Sequence, residues 1–152
     1  MHSQHTSLNR LAASATTHCL TGCAIGEVLG LVIAAQLGWD DIASIALAVV
    51  LAYIFGYALT LRPLLRSGLA LGSALSIAFA ADTLSITVME IVDNAVLLII
   101  PGAMDAGITD LLFWGSLAFA LAVAWMAAFP VNRWLIGRGL GHAKAMEHHG
   151  HH

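Results

Sequence analysis

The strongest constraint on the fold of this chain is a series of four long apolar segments that fill most of its 152 residues. A transmembrane helix needs about 20 mostly apolar residues, and each segment reaches that length. Hydrophobic residues make up 59% of the chain and charged residues only 10%, whereas about a quarter of the residues of a soluble domain are charged. The sequence therefore predicts an all-α polytopic membrane protein with spans at residues 11–37, 42–61, 69–100 and 111–136.

The connections between these segments are short. Short connections place successive helices side by side in opposite directions, so we expect an up-down-up-down four-helix transmembrane bundle. The predicted parts are a cytoplasmic N-terminal arm at residues 1–10, the bundle at residues 11–136 and a His-rich cytoplasmic tail at residues 137–152.

The charged residues outside the spans separate by sign. All six Lys and Arg residues fall at one end of the predicted bundle, and the loops at the other end carry only acids. The positive-inside rule then predicts a multi-pass protein of the bacterial inner membrane with both termini in the cytoplasm. The net charge of −3 is too small to indicate nucleic acid as a partner, which leaves the lipid bilayer. The basic residues are Arg10, Arg62, Arg66, Arg133, Arg138 and Lys144, and the loop acids are Asp40, Asp41, Asp105 and Asp110.

Four of the nine acidic residues lie inside the predicted spans. They are Glu27 on helix 1 and Asp82, Glu90 and Asp93 on helix 3. An acid at the centre of a membrane helix costs about 2.5–3.5 kcal/mol on the mildest scale, so such residues usually face a cavity or a partner. These four acids are the first candidates for function.

Helix 1 carries two neighbouring stripes. Cys19, Cys23 and Glu27 recur every four residues and so share one face, which we expect to look into the bundle. The adjoining stripe is mostly glycine, which lets another helix backbone approach closely. It consists of His18, Gly22, Gly26 and Gly30.

Helix 3 offers a matching face. At about 100° per residue its acids fall on one side together with Ser85. Helices 1 and 3 run in the same direction in the predicted bundle, so their depths can be compared by counting from the membrane boundary. The expected register places His18 and Cys19 level with Asp82, and Cys23 and Glu27 level with Glu90 and Asp93.

Thiols, an imidazole and carboxylates that converge in a dry site favour a transition metal as cofactor or cargo: copper, zinc or iron. The leading hypothesis is a metal-handling protein that transports or stores the ion. One bundle of this size has little room for a pathway, so a homo-oligomer is expected. The His-rich tail is a further compositional sign of metal binding. The predicted metal ligands are His18, Cys19, Cys23, Glu27, Asp82, Glu90 and Asp93.

The same residues support other readings. Buried carboxyl groups favour their protonated form and could relay protons. Cys19 and Cys23 could serve a membrane oxidoreductase that acts on a quinone or lipid through a metal or a dithiol, so enzymatic activity stays open. The chain could also be a small accessory or assembly subunit whose acids are hydrogen-bonded by Asn94, Ser85, Thr83 and Thr87.

Two tyrosines of helix 2, Tyr53 and Tyr57, share a face. They could donate hydrogen bonds to the acids, although packing is the more frequent role of such residues. On helix 4, a small residue recurs every four positions, which is typical of a close-packing seam. The seam consists of Ser116, Ala120, Ala124 and Ala128.

Four segments of the chain resemble a bacterial integral-membrane family that is known as a domain of unknown function. The resemblance covers nearly all of residues 11–142, and it implies a four-helix membrane fold without supplying a mechanism. The segments are residues 18–27 (HCLTGCAIGE), 55–65 (FGYALTLRPLL), 81–94 (ADTLSITVMEIVDN) and 129–135 (FPVNRWL).

Overall fold

The computed structural model describes residues 2–137 of the chain, with side chains from residue 8 onward, and it is all-α over that part. Each helix is long and apolar enough to cross a membrane, which confirms the prediction of four spans. The inward orientation of both termini stays a prediction, and the His-rich tail lies outside the described residues. The helices are α1 (His2–Leu37), α2 (Asp41–Arg66), α3 (Leu71–Ile99) and α4 (Leu111–Gly137).

α1 and α2 extend beyond the apolar segments that predict them, whereas α3 lies within its predicted segment, residues 69–100. α1 begins at His2 rather than at residue 11, and α2 continues to Arg66 rather than ending at residue 61. Hydropathy marks only the part of a helix that lies in hydrocarbon, whereas the helix itself runs on until its end is capped. At the other end of this hairpin, Gly38 adopts a φ of 71°, which ends α1 without the strain that a side chain would bring. Asp40 then caps α2 by accepting the Ala43 N–H at 2.8 Å.

The glycine stripe of α1 packs against another helix, as predicted, and that helix is α2. A Cβ atom added to Gly22 would lie 2.8 Å from the Cα of Gly56. One added to Gly26 would overlap the backbone of Leu51, and one added to Gly30 would lie 2.6 Å from the Cα of Ala48. Residue numbers rise along α1 as they fall along α2, so the two helices are antiparallel.

The remaining helices close the bundle. α3 packs against α2 and α4, and α4 packs against α1 through the predicted small-residue seam. α1 and α3 meet across the bundle and run in the same direction, because residues of rising number on α1 contact residues of rising number on α3. This diagonal contact brings the polar faces of α1 and α3 together.

The two ends of the bundle differ in charge. One end, called the acidic end below, is formed by residues 38–40 and 100–110 and carries the loop acids. The opposite end, called the basic end, holds every arginine of the described part of the chain: Arg10, Arg62, Arg66 and Arg133.

Candidate functional site

A column of acids and thiols runs through the middle of the bundle between α1 and α3. From Asp82 to Asp93 the column follows α3 for eleven residues, about 17 Å at 1.5 Å per residue. This is about half the thickness of the hydrocarbon core. The predicted site residues on it are all buried, with exposed fractions of 0% for Glu27, 1% for Cys23, Asp82 and Asp93, 2% for Cys19 and 4% for Glu90.

The thiols form the central part of the column. Ser85 donates a hydrogen bond to the Cys19 sulfur at 3.4 Å. Cys23 lies close to Cys19 on its own helix and to the Glu90 carboxyl group of α3. Both cysteines are free thiols. The predicted register, which places Cys23 and Glu27 level with Glu90 and Asp93, is therefore present in the structure.

Glu90 has a second partner. Asn94, one turn further along α3, donates to the Oε2 atom of Glu90 at 3.2 Å and to its backbone carbonyl at 2.8 Å. The other carboxyl oxygen of Glu90 receives no hydrogen bond from the described residues. Glu90 is thus held on one side and open on the other.

Glu27 and Asp93 form the end of the column nearest the acidic end. Their carboxyl groups lie beside each other. Within the described part of the chain, no backbone or side-chain donor reaches any of their four oxygen atoms. Two ionised carboxylates are acceptors only and repel each other, so their proximity favours a shared proton or a bound cation.

Within residues 2–137, no arginine lies beside Glu27, Glu90 or Asp93, because every arginine of that part of the chain lies at the basic end. His18 is half-buried next to Cys19 in sequence. His18 and Asp82 each have an interaction partner, so neither is counted among the unsupported groups. The charge of Glu27, Glu90 and Asp93 must therefore be neutralised by protons or by a bound cation, because an unpaired buried charge is very costly.

The column does not have the geometry of a metal site. Among residues 2–137, no group of three or more His, Cys, Asp or Glu side chains is arranged to hold a metal ion. The side chains contact one another in succession along about 17 Å of helix instead of converging on a point. The metal-site prediction is not confirmed, and the ligand roles of the seven residues stay a prediction.

The tyrosines of α2 do not reach the acids. Tyr53 shares a hydrogen bond with Thr87, and Tyr57 shares one with Thr83, so that both bonds tie α2 to α3. The threonines are thereby engaged away from the column. Of the four residues that could have satisfied the acids, Asn94 does so and Ser85 bonds Cys19 instead.

Sequence reasoning missed the continuation of the column towards the basic end. Asn132 of α4 is fully buried and donates to Thr16 of α1 at 2.9 Å, and Thr16 donates to the Ala12 carbonyl at 2.6 Å. The signal was present in part, since Thr16 lies three residues before Cys19 and so continues the same face. Asn132 carried a similar signal, because it lies four residues after Ala128 and so continues the small-residue seam of α4.

Comparison with known proteins supports the fold and adds no activity. The model of one family, described as a domain of unknown function (DUF4396), matches residues 8–141. No curated protein and no solved structure matches the chain. The match covers all four helices, as the resemblance of the four segments predicts, and the chain therefore belongs to the family described as a domain of unknown function, DUF4396.

Proposed function

We propose that this membrane protein relays protons along the column between α1 and α3, with Glu27 and Asp93 as the exchange pair at the end of the column nearest the acidic end. The observation that carries the proposal is the contact between these two buried carboxyl groups, which no donor and no basic side chain of the described residues supports. Such a pair is stable only when protons or a cation neutralise it. In the arrangement described, the proton is the cation that fits without any side chain moving.

The chemistry of the column suits proton transfer. A protonated carboxyl, a hydroxyl and a thiol can each donate one hydrogen bond while accepting another. A pair that holds one proton can pass it from Glu27 to Asp93, which leaves the first group ionised and the second neutral. Glu90, held by Asn94 and contacted by Cys23, is the next acceptor along the column. The Ser85 hydroxyl and Asp82 continue the series towards the basic end.

Proton flux into liposomes tests this function. Purified protein is reconstituted with a pH-sensitive dye inside, and a potassium gradient with valinomycin sets the membrane potential. We expect Glu27→Gln and Asp93→Asn to reduce the flux by about 100-fold, within the range that a positioned proton-transfer group contributes. The matched control is Asp105→Asn, an exposed acid of the loop at the acidic end, which should retain the wild-type flux. A wild-type flux equal to that of Glu27→Gln would refute the relay.

Infrared spectroscopy tests the protonation of the pair separately. A protonated carboxyl group gives a carbonyl-stretch band that shifts when the sample is transferred to heavy water. We expect such a band in the wild-type protein and its loss in both Glu27→Gln and Asp93→Asn. A spectrum that Glu27→Gln leaves unchanged would show that the pair holds no proton.

A second candidate is the transition-metal hypothesis, which one observation favours. Two free thiols lie directly beside the acids, and Cys23 contacts Glu90. Thiolates select zinc, copper(I) and iron, while imidazole and carboxylate add to the same site. Binding would require the side chains of Cys19, Cys23, Glu27, Glu90 and Asp93 to turn towards a common centre, with His18 and Asp82 further out.

Elemental analysis of protein extracted in mild detergent decides between the two candidates. The metal hypothesis expects about one metal ion per protein chain in the wild type, and loss of that metal in Cys19→Ala/Cys23→Ala. The matched control is Ser67→Ala, a hydroxyl outside the column that bonds the Leu64 carbonyl. Metal-free wild-type protein would refute this candidate, whereas stoichiometric metal lost in the double variant would displace the proton relay. The oxidoreductase and assembly-subunit hypotheses and the homo-oligomer stay predictions.

A further inference from the structure

A cavity lies at the acidic end of the bundle, directly beyond the acid pair. Its volume is about 60 Å³, and it is bounded by all four helices and by the connections between α1 and α2 and between α3 and α4. Trp39, which is 46% exposed, lines its outer part. On the inner side it is lined by Leu31 and Leu97, which lie one turn beyond Glu27 and Asp93 respectively.

The cavity is large and polar enough to hold water. One water molecule requires about 10–15 Å³ of such space and two or more polar partners, so a volume of about 60 Å³ accommodates several. Ser44 and Ser116 both line the cavity. Their hydroxyl groups donate to the carbonyls of Asp40 and Leu112, and each keeps lone pairs that can accept a hydrogen bond from water.

A thin apolar layer separates this cavity from the acid pair. Leu31 is 7% exposed and Leu97 is 3% exposed, and both belong to one packed cluster with Leu117 and Phe113. One helical turn, about 5.4 Å, separates Leu31 from Glu27 and Leu97 from Asp93. A displacement of the two leucine side chains would therefore join the cavity to the carboxyl groups.

The opposite end of the column is packed differently. Thr16 and Asn132 are fully buried and bonded to each other. Next to them, Ala12, Ala15 and Ile136 form an apolar cluster whose members are at most 8% exposed. The described arrangement thus places a cavity large enough for water within one turn of the acid pair on the acidic side, while side chains fill the space between α1 and α4 at the basic end.

We propose that the cavity at the acidic end is the aqueous access site through which Glu27 and Asp93 exchange their cation, and that Leu31 and Leu97 form the barrier in it. This inference rests on the proposed function for the identity of the cation as a hydrated proton. The geometry of access does not depend on that identity, so it is tested without measuring transport.

Thiol labelling tests the access route. Single cysteines are introduced in a Cys19→Ala/Cys23→Ala background and treated with a membrane-impermeant thiol reagent from either side of oriented vesicles. Asp105→Cys and Arg62→Cys, both at exposed positions, identify the acidic and basic sides. We expect Met104→Cys, whose position lines the cavity, to react from the Asp105→Cys side. We expect Asp93→Cys to react from that side alone, and about tenfold faster when Leu97→Ala opens a space in the barrier.

The matched control for the barrier is Leu98→Ala, because Leu98 is 57% exposed on the outer face of the same helix. It should leave the labelling rate of Asp93→Cys unchanged. Protection of Met104→Cys from both sides would refute the access site even if the Asp93→Cys variants fail to fold. Faster labelling of Asp93→Cys from the Arg62→Cys side would refute it too. Labelling as expected with no proton flux refutes the relay alone, and flux without labelling refutes the access site alone.

Discussion

Two groups of polar side chains lie inside this bundle, and they are built in opposite ways. Between α2 and α3, the hydroxyl groups of Tyr53 and Tyr57 each pair with a threonine. Between α1 and α3, the carboxyl groups of Glu27 and Asp93 meet with no donor from the described residues. In the first group each hydroxyl has a hydrogen-bond partner, whereas in the second group the described residues provide no donor to the carboxyl oxygens. Polar groups that only join helices can be paired within the protein, so the unpaired group is the one to test for function.

The largest stability effect expected from this comparison is at the pair of Glu27 and Asp93. Replacing a whole set of buried ionic groups by apolar residues of similar volume is often neutral or stabilising, by about 1–4 kcal/mol. We therefore expect the double variant Glu27→Met/Asp93→Leu to raise the free energy of unfolding by about 1–4 kcal/mol while proton flux is lost. Unfolding is followed by circular dichroism during titration of mixed micelles with a denaturing detergent. A decrease in stability would indicate that the acid pair holds the bundle together.

Glu90 is intermediate between the two groups, since one of its oxygens is bonded and the other is not. Removing its donor with Asn94→Leu leaves a buried carboxyl group without that bond, so we expect the free energy of unfolding to fall by about 1–2 kcal/mol. The same titration measures it. Asn94→Asp also removes the amide donor but hardly changes the side-chain volume, so it separates loss of the hydrogen bond from a change in packing. If Asn94→Leu were as stable as the wild type, the Asn94 bond would not stabilise Glu90, and Glu90 would resemble Glu27 and Asp93.

The smallest expected effect is at the tyrosine–threonine hydrogen bonds between α2 and α3. Inter-helix hydrogen bonds in membranes contribute about 0.6 kcal/mol on average, and Tyr53→Phe removes one while keeping the ring. We expect a loss of about that size in the free energy of unfolding and no change in proton flux. A marked loss of flux in Tyr53→Phe, with stability unaffected, would mean that the tyrosine–threonine pairs belong to the functional column.

Much of this architecture could be predicted from local sequence. The apolar length of each segment gives the four spans, and the four-residue recurrence on α1 gives both the glycine contact with α2 and the interior position of Cys23 and Glu27. The pairing of Cys23 with Glu90 also follows, because two helices that run in the same direction can be aligned by depth. These features depend on one helix or on one simple rule of topology.

The rest depends on rotation and side-chain choice, which local patterns do not specify. Tyr53 could have turned towards the acids or towards Thr87, and both lie within reach of a helix 2 residue at that depth. Asn132 could have faced the interface or α1, and its burial depends on how α4 is rotated against α1. Likewise, a set of potential metal ligands on two helix faces predicts proximity but does not determine whether the donors converge on one point.

The close contact of the glycines of α1 with α2 has a mechanical consequence. Where two backbones touch, neither helix can slide or rotate without a collision of main-chain atoms, so α1 and α2 form one stiff hairpin. Side-chain contacts, such as those of Leu97 or Met89 on α3, can yield by rotamer changes. A backbone movement that opens the column would therefore displace α3 against this hairpin, with Glu27 held on the hairpin and Asp93 on the moving helix. If the proposed relay involves such a movement, it separates and rejoins the two halves of the acid pair.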